Sequence, residues 1–146
     1  MPDATAITNL LYRYAELMDM GDLAGVAGLF THARIKMGDD YVDAATLKAR
    51  WEETVIFYPD GTPRTKHVTT NAIVEFDPAG TSATCRSYYT VFQQVDDTAL
   101  QPIIVGRYHD RFELVDEAWR WAERDYSLVD RVGDLSRHLR IDVPRP

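Results

Sequence analysis

A chain of 146 residues, 45% hydrophobic and 27% charged, is long enough to bury a core without disulfide or metal staples, and it predicts one domain over residues 1–146. The 23 acidic residues outnumber the 16 basic ones for a net charge of −7, which excludes the basic footprint of a nucleic-acid binder and attraction to an anionic membrane surface. A lone cysteine, Cys85, excludes an internal disulfide and a multi-cysteine metal site. The start Met1-Pro2-Asp3 lacks a basic leader and no apolar run is long enough to span a bilayer, so the expected compartment is the cytoplasm.

Residues 4–20 predict a first helix, because Ile7, Leu10, Leu11, Tyr14, Leu17 and Met18 recur at spacings of three and four. Gly21 reads as its stop and Asp22 as the cap of a short second helix reaching Phe30. Ala33 to Met37 suits a short strand. A third helix is expected from about Asp43 to about Tyr58, with Leu47, Trp51, Val55 and Tyr58 on its buried face. Pro59-Asp60-Gly61 ends it. Four long strands follow, at about 65–77, 81–96, 101–115 and 118–130, separated by turns such as Asp77-Pro78-Ala79-Gly80 and Val115-Asp116-Glu117. Consecutive long strands predict an antiparallel meander. Helices first and strands afterwards make an α+β fold, and a strongly bent sheet with helices on its concave side encloses a pocket.

The segments "ITNLLYRYAELMDMGD" (7–22), "TKHVTTN" (65–71), "GRYHDRFELVDEAWRWAERD" (106–125) and "VGDLSRHL" (132–139) together resemble the SnoaL-like branch of the nuclear transport factor 2-like superfamily. The resemblance implies a cone-shaped α+β barrel, a strongly bent antiparallel sheet and three N-terminal helices around a deep apolar pocket, often in a homodimer or higher homo-oligomer. That superfamily holds scytalone dehydratase, ketosteroid isomerase, polyketide cyclases, bile-acid 7α-dehydratase and a dehydrochlorinase. It also holds non-catalytic β subunits of ring-hydroxylating dioxygenases, so the fold alone does not assign an activity.

In the dehydratase and dehydrochlorinase relatives an Asp and a His form a catalytic dyad, and the resemblance carries those roles to Asp19 and His67. A carboxylate that accepts one imidazole N–H fixes the tautomer and frees the other nitrogen to abstract a proton. Without the resemblance, Asp19 reads equally as a helix-end residue and His67 as a satisfied strand residue. Tyr14 is the expected phenol, with Tyr12 and Tyr58 as alternatives, and a core aromatic is the plain reading of all three. Asn71 lies four residues after His67, so strict alternation puts both on one strand face, where Asn71 meets either ligand or backbone. Tyr108, Asp110 and Phe112 share another face, expected to point inward, with His109 outward as a second-choice base. Arg124 either faces the pocket, pairing with Asp110 or an anionic group, or bridges to a neighbouring strand. Trp51 and Tyr58 head a set of aromatic wall candidates that includes Tyr88, Tyr89 and Trp121. His32 reads as surface, and His138 as a tail residue that closes the pocket mouth or an oligomer contact.

The histidines show no metal-ligand spacing and no Gly-rich phosphate loop occurs, so no metal and no cofactor are expected. Two functions fit. One is a cofactor-independent lyase or isomerase acting on a small, largely apolar cyclic molecule. The other is a non-catalytic ligand-binding or oligomer-scaffold module in which Asp19 and His67 form a structural hydrogen bond. A pocket with a free imidazole nitrogen favours the first, and a pocket filled by Tyr or Trp favours the second.

Overall fold

A computed structural model describes residues 2–146. Helix α1 (Ala4–Asp19) starts at Asp3, whose carboxylate accepts from the Thr5 amide. It buries Ile7, Leu11, Tyr14, Ala15 and Met18, the stripe written in its sequence. The chain then reverses at Gly21, where φ is +77° and a Cβ would stand 2.2 Å from the Gly61 carbonyl oxygen. Only glycine satisfies both demands. Asp22 caps α2 (Leu23–Leu29) by accepting from Gly25 N at 2.8 Å. Two short strands, β1 (Arg34–Met37) and β2 (Asp40–Val42), precede α3 (Ala44–Thr54), which is capped by Asp43.

Helix α3 stops four residues short of the expected Tyr58. Its C-cap Val55 adopts extended backbone and bridges to Leu139, while Ile56 N donates to His138 O and Arg140 N to Thr54 O. A distant strap near the C-terminus captures this segment, a long-range pairing that helical periodicity cannot reveal.

Strands β3 (Thr65–Phe76), β4 (Ser82–Gln93), β5 (Gln101–Val115) and β6 (Ala118–Asp125) form the expected antiparallel meander. The whole sheet is nevertheless mixed and open. Its order is β2-β1-β6-β5-β4-β3, and β1 lies parallel to β6. The strand expected at 118–130 is two strands. β6 ends at Asp125, and β7 (Val129–Val132) pairs with the N-terminal half of β5, which outruns β6. Gly106 permits this close crossing, because a Cβ there would lie 2.6 Å from the Leu128 carbonyl oxygen. With three helices packed on its inner face, the bent sheet makes an α+β cone.

Burial alternates along β4, with Ala83, Cys85, Ser87, Tyr89, Val91 and Gln93 buried. The core they join includes Phe30, Ile35, Phe112 and Trp121. One ion pair sits within it. Asp110 and Arg124 face each other across β5 and β6, with Nε–Oδ1 and Nη2–Oδ2 contacts of 2.8 Å and both side chains 0% exposed. Burial disfavours the guanidinium charge, but Asp110 more than offsets it and raises the Arg124 pKa well above its ordinary value. The guanidinium carbon lies 3.7 Å from the Tyr108 ring centroid and 4.5 Å from that of Tyr14. Asp110→Ala should therefore destabilise the fold by about 3–5 kcal/mol in urea unfolding, because it strands a buried cation. The double replacement Asp110→Leu with Arg124→Met should recover most of that loss; no recovery would show that the charges themselves hold the core.

Candidate active site

Asp19 is the last residue of α1, and its carboxylate reaches the start of β3. There Oδ1 accepts from the Thr65 hydroxyl at 2.9 Å, Oδ2 accepts from the His67 backbone amide at 2.8 Å, and Oδ1 lies 2.6 Å from His67 Nδ1. Thr65 and His67 share a strand face, so one carboxylate engages both. Its two other partners are donors and the carboxylate itself only accepts, so Nδ1 carries the ring proton. Nε2 of the neutral ring is left with its lone pair.

His67 borders a cavity of about 130 Å³ with Tyr14, Trp51, Tyr108, Tyr126 and His138 among its walls. Tyr14 packs edge-on to His67, with ring centroids 6.2 Å apart. Its hydroxyl accepts from Tyr126 Oη at 2.9 Å, and burial raises the pKa of both phenols, which keeps them protonated donors. Tyr89 stacks on Tyr108 at 4.3 Å. A larger space of about 700 Å³ between α3 and residues 141–146 shares Trp51, Tyr89, Ile104, Tyr126 and Leu139 with the inner cavity. The two form a narrow inner chamber and a wider vestibule.

Several expected positions fall elsewhere. Asn71 does not share the His67 face: the β3–β4 register shifts between Thr70 and Ile73, Asn71 adopts φ +57°, and its side chain is exposed. A bulge breaks the alternation on which that placement relied. Tyr58 turns away from the cavity, donating its hydroxyl to Arg137 O and lying beside the Arg64 guanidinium. Asp110 points inward as expected, and of the two readings of Arg124 the bridge to the neighbouring strand is the one seen: it bonds Asp110 behind the aromatic layer, and neither borders the chamber. Tyr88 is exposed on the outer face of the sheet and Trp121 is buried core. Trp51 and Tyr108 do border the cavity. His109 and His32 are exposed. Burial, then the Asp110 charge, pushes the Cys85 thiol up to about 12, so it is no poised nucleophile.

One wall residue escaped the sequence reading, and a second sits deeper than expected. Tyr126 follows β6, where a chain turn aims its hydroxyl at Tyr14. His138 was expected in a closing tail, but it is a chamber wall: 6% exposed, with Nδ1 lacking a partner among the described residues. No local pattern marks either. Among the described residues no group of three or more His, Cys, Asp or Glu is placed to hold a metal ion, and no helix is long and apolar enough to cross a membrane.

The family model of the SnoaL-like domain matches residues 1–125. No curated protein matches the chain. Among solved structures, a Mycobacterium tuberculosis protein of unknown function is 25% identical, with a TM-score of 0.68 over 88% of this chain and 72% of that one. A candidate scytalone dehydratase from Novosphingobium aromaticivorans is 20% identical, with a TM-score of 0.68 over 97% and 89% of the two chains. The β subunit of a candidate aromatic-ring-hydroxylating dioxygenase from the same species is 18% identical, with a TM-score of 0.67 over 85% and 87%. These identities bear on the fold alone.

Two outcomes follow from the geometry. Nitrogen-15 NMR of the neutral His67 ring should show the proton on Nδ1, and Asp19→Ala should let the Nε2–H tautomer appear; an unchanged tautomer in that variant would refute the orienting role. His138 provides the second. Burial, then the nearby His67, pushes its pKa down to about 4. Below about pH 6.5 the unfolded chain takes up a proton there that the folded chain refuses, so stability falls as pH drops from about 6.5 to about 4. Urea unfolding across that range should show His138→Gln losing less stability than wild type, by up to about 3 kcal/mol; parallel pH profiles would contradict it.

Proposed function

The chain belongs to the SnoaL-like domain family, and on that premise we propose that it is a lyase or isomerase in which His67, oriented by Asp19, moves a proton on a small, largely apolar cyclic ketone. The observation that carries this is the 2.6 Å contact of Asp19 with His67 Nδ1, made by a ring that also borders the chamber. A chamber of about 130 Å³ is close in size to a cavity of about 150 Å³ that holds benzene, so one six-membered ring is the largest unit it suits. The vestibule takes the rest of a larger substrate.

In the proposed reaction Nε2 removes a proton from the carbon beside the carbonyl. The C–H electrons become the carbon–carbon double bond of an enolate, and Asp19 stabilises the imidazolium. Tyr14, whose oxygen already accepts from Tyr126, donates to the enolate oxygen. In a dehydration the enolate electrons then form the new alkene, the C–O bond breaks, and His67 returns the proton to the departing hydroxide as water. In an isomerisation the proton returns to another ring carbon. The Asp110–Arg124 pair takes no part and keeps the phenol layer in place.

The aromatic crowding of the chamber favours the second reading, a scaffold module. The exposed apolar side chains Val68, Ile73 and Tyr88 on the outer face of β3 and β4 support a homodimer under either. The two readings part on one assay. With 3-hydroxycyclohexanone in deuterium oxide, the wild type should exchange the protons beside the carbonyl and form the enone, as followed by proton NMR. His67→Ala should lower that rate by about 10²–10⁴-fold. A wild-type rate equal to that of His67→Ala would leave the scaffold.

A further inference from the structure

The chamber has a second imidazole, and nothing in the Asp19–His67 chemistry employs it. His138 is 6% exposed and borders the same cavity as His67. Its Nδ1 is buried and has no hydrogen-bond partner among the described residues. The strap that carries it is firmly built. His138 N donates to Leu135 O, His138 O accepts from Ile56 N at 2.8 Å, Leu139 bridges to Val55, and Arg137 O accepts from Gln93 Nε2 at 3.0 Å and from the Tyr58 hydroxyl. The imidazole is therefore held in the chamber wall. Its neighbours on the strap are bonded while its ring makes no hydrogen bond: Nδ1 is enclosed without a partner, and Nε2 is not among the enclosed atoms of a ring that borders the cavity.

We propose that His138 is a ligand-anchoring residue whose imidazole hydrogen-bonds a hydroxyl or carbonyl oxygen of an uncharged ring lodged beside His67. An imidazole without a hydrogen bond in a buried wall is costly, and a ligand oxygen bonded at Nε2 offsets part of that cost. The electrostatics select an uncharged ligand. Burial holds His138 neutral, with a pKa of about 4. The Arg124 cation is neutralised by Asp110 and lies behind the tyrosine rings. The inner chamber thus offers donors and acceptors but no free charge to partner a carboxylate or ammonium. A neutral imidazole still polarises a bound oxygen. This role deepens the lyase or isomerase reading but requires of it only that the chamber takes a ligand.

Phenol and toluene test it, as rings of one size that differ by the oxygen. Phenol should shift the nitrogen-15 resonances of the His138 ring in the wild type, and toluene should leave them in place. His138→Leu should weaken phenol binding about tenfold while toluene binds as well as before. Phenol binding that leaves the His138 ring unmoved overturns the anchor, even if the variant does not fold. So does an equal change for both rings in His138→Leu. If neither ring enters the wild type, the chamber is no ligand site and the anchor falls with it. A wild type that binds phenol on His138 yet exchanges no ketone protons sinks the enzyme reading alone and upholds the anchor.

Discussion

One carboxylate joins the helical half of this molecule to its sheet. Asp19 closes α1, and it receives a hydroxyl, a backbone amide and an imidazole from the first three residues of β3. The backbone contact fixes where β3 begins against the helix. The side-chain contact fixes the ring of His67. Docking and ring orientation therefore share one group, so the position of the imidazole is as rigid as the helix–sheet packing. The tight reversal at Gly21 supports this by ending the helix where the carboxylate must turn inward.

Charge is distributed with the same economy. The interior contains a full ion pair, yet the pair is closed on itself and roofed by aromatic rings. The chamber above it sees phenols, imidazoles and apolar walls. Such a surface suits proton transfer on a neutral molecule, because developing charge on an enolate meets hydrogen-bond donors. The vestibule between α3 and the C-terminal residues is larger, about 700 Å³, and it leaves room for substituents the chamber excludes.

Much of this was legible in the sequence because it rests on local patterns. The stripe of α1, the cap at Asp22, the start of α3 near Asp43 and the long strand that is β4 all follow from local signals that folding preserves. Asp19 and His67 were legible through family resemblance, since their meeting depends on two elements far apart in the chain. What was not legible depends on long-range capture or on a break in periodicity. The strap around Leu139 cuts α3 short and removes Tyr58 from the wall. The bulge at Asn71 turns that side chain outward. The excess length of β5 splits the last strand, and the turn this creates delivers Tyr126 to the site. His138 is the plainest case, because only the folded strap turns a tail histidine into a chamber wall.

The account stands or falls on whether the free nitrogen of His67 faces a substrate. The most direct measurement is a crystal structure of the protein with cyclohex-2-enone, the elimination product of a 3-hydroxy ketone. The expected complex has the ring in the inner chamber, a ring carbon about 3–3.5 Å from His67 Nε2, and the ketone oxygen in hydrogen-bond reach of a chamber donor. A ring confined to the vestibule, or an Nε2 bonded to a protein group and closed to the ligand, would contradict it.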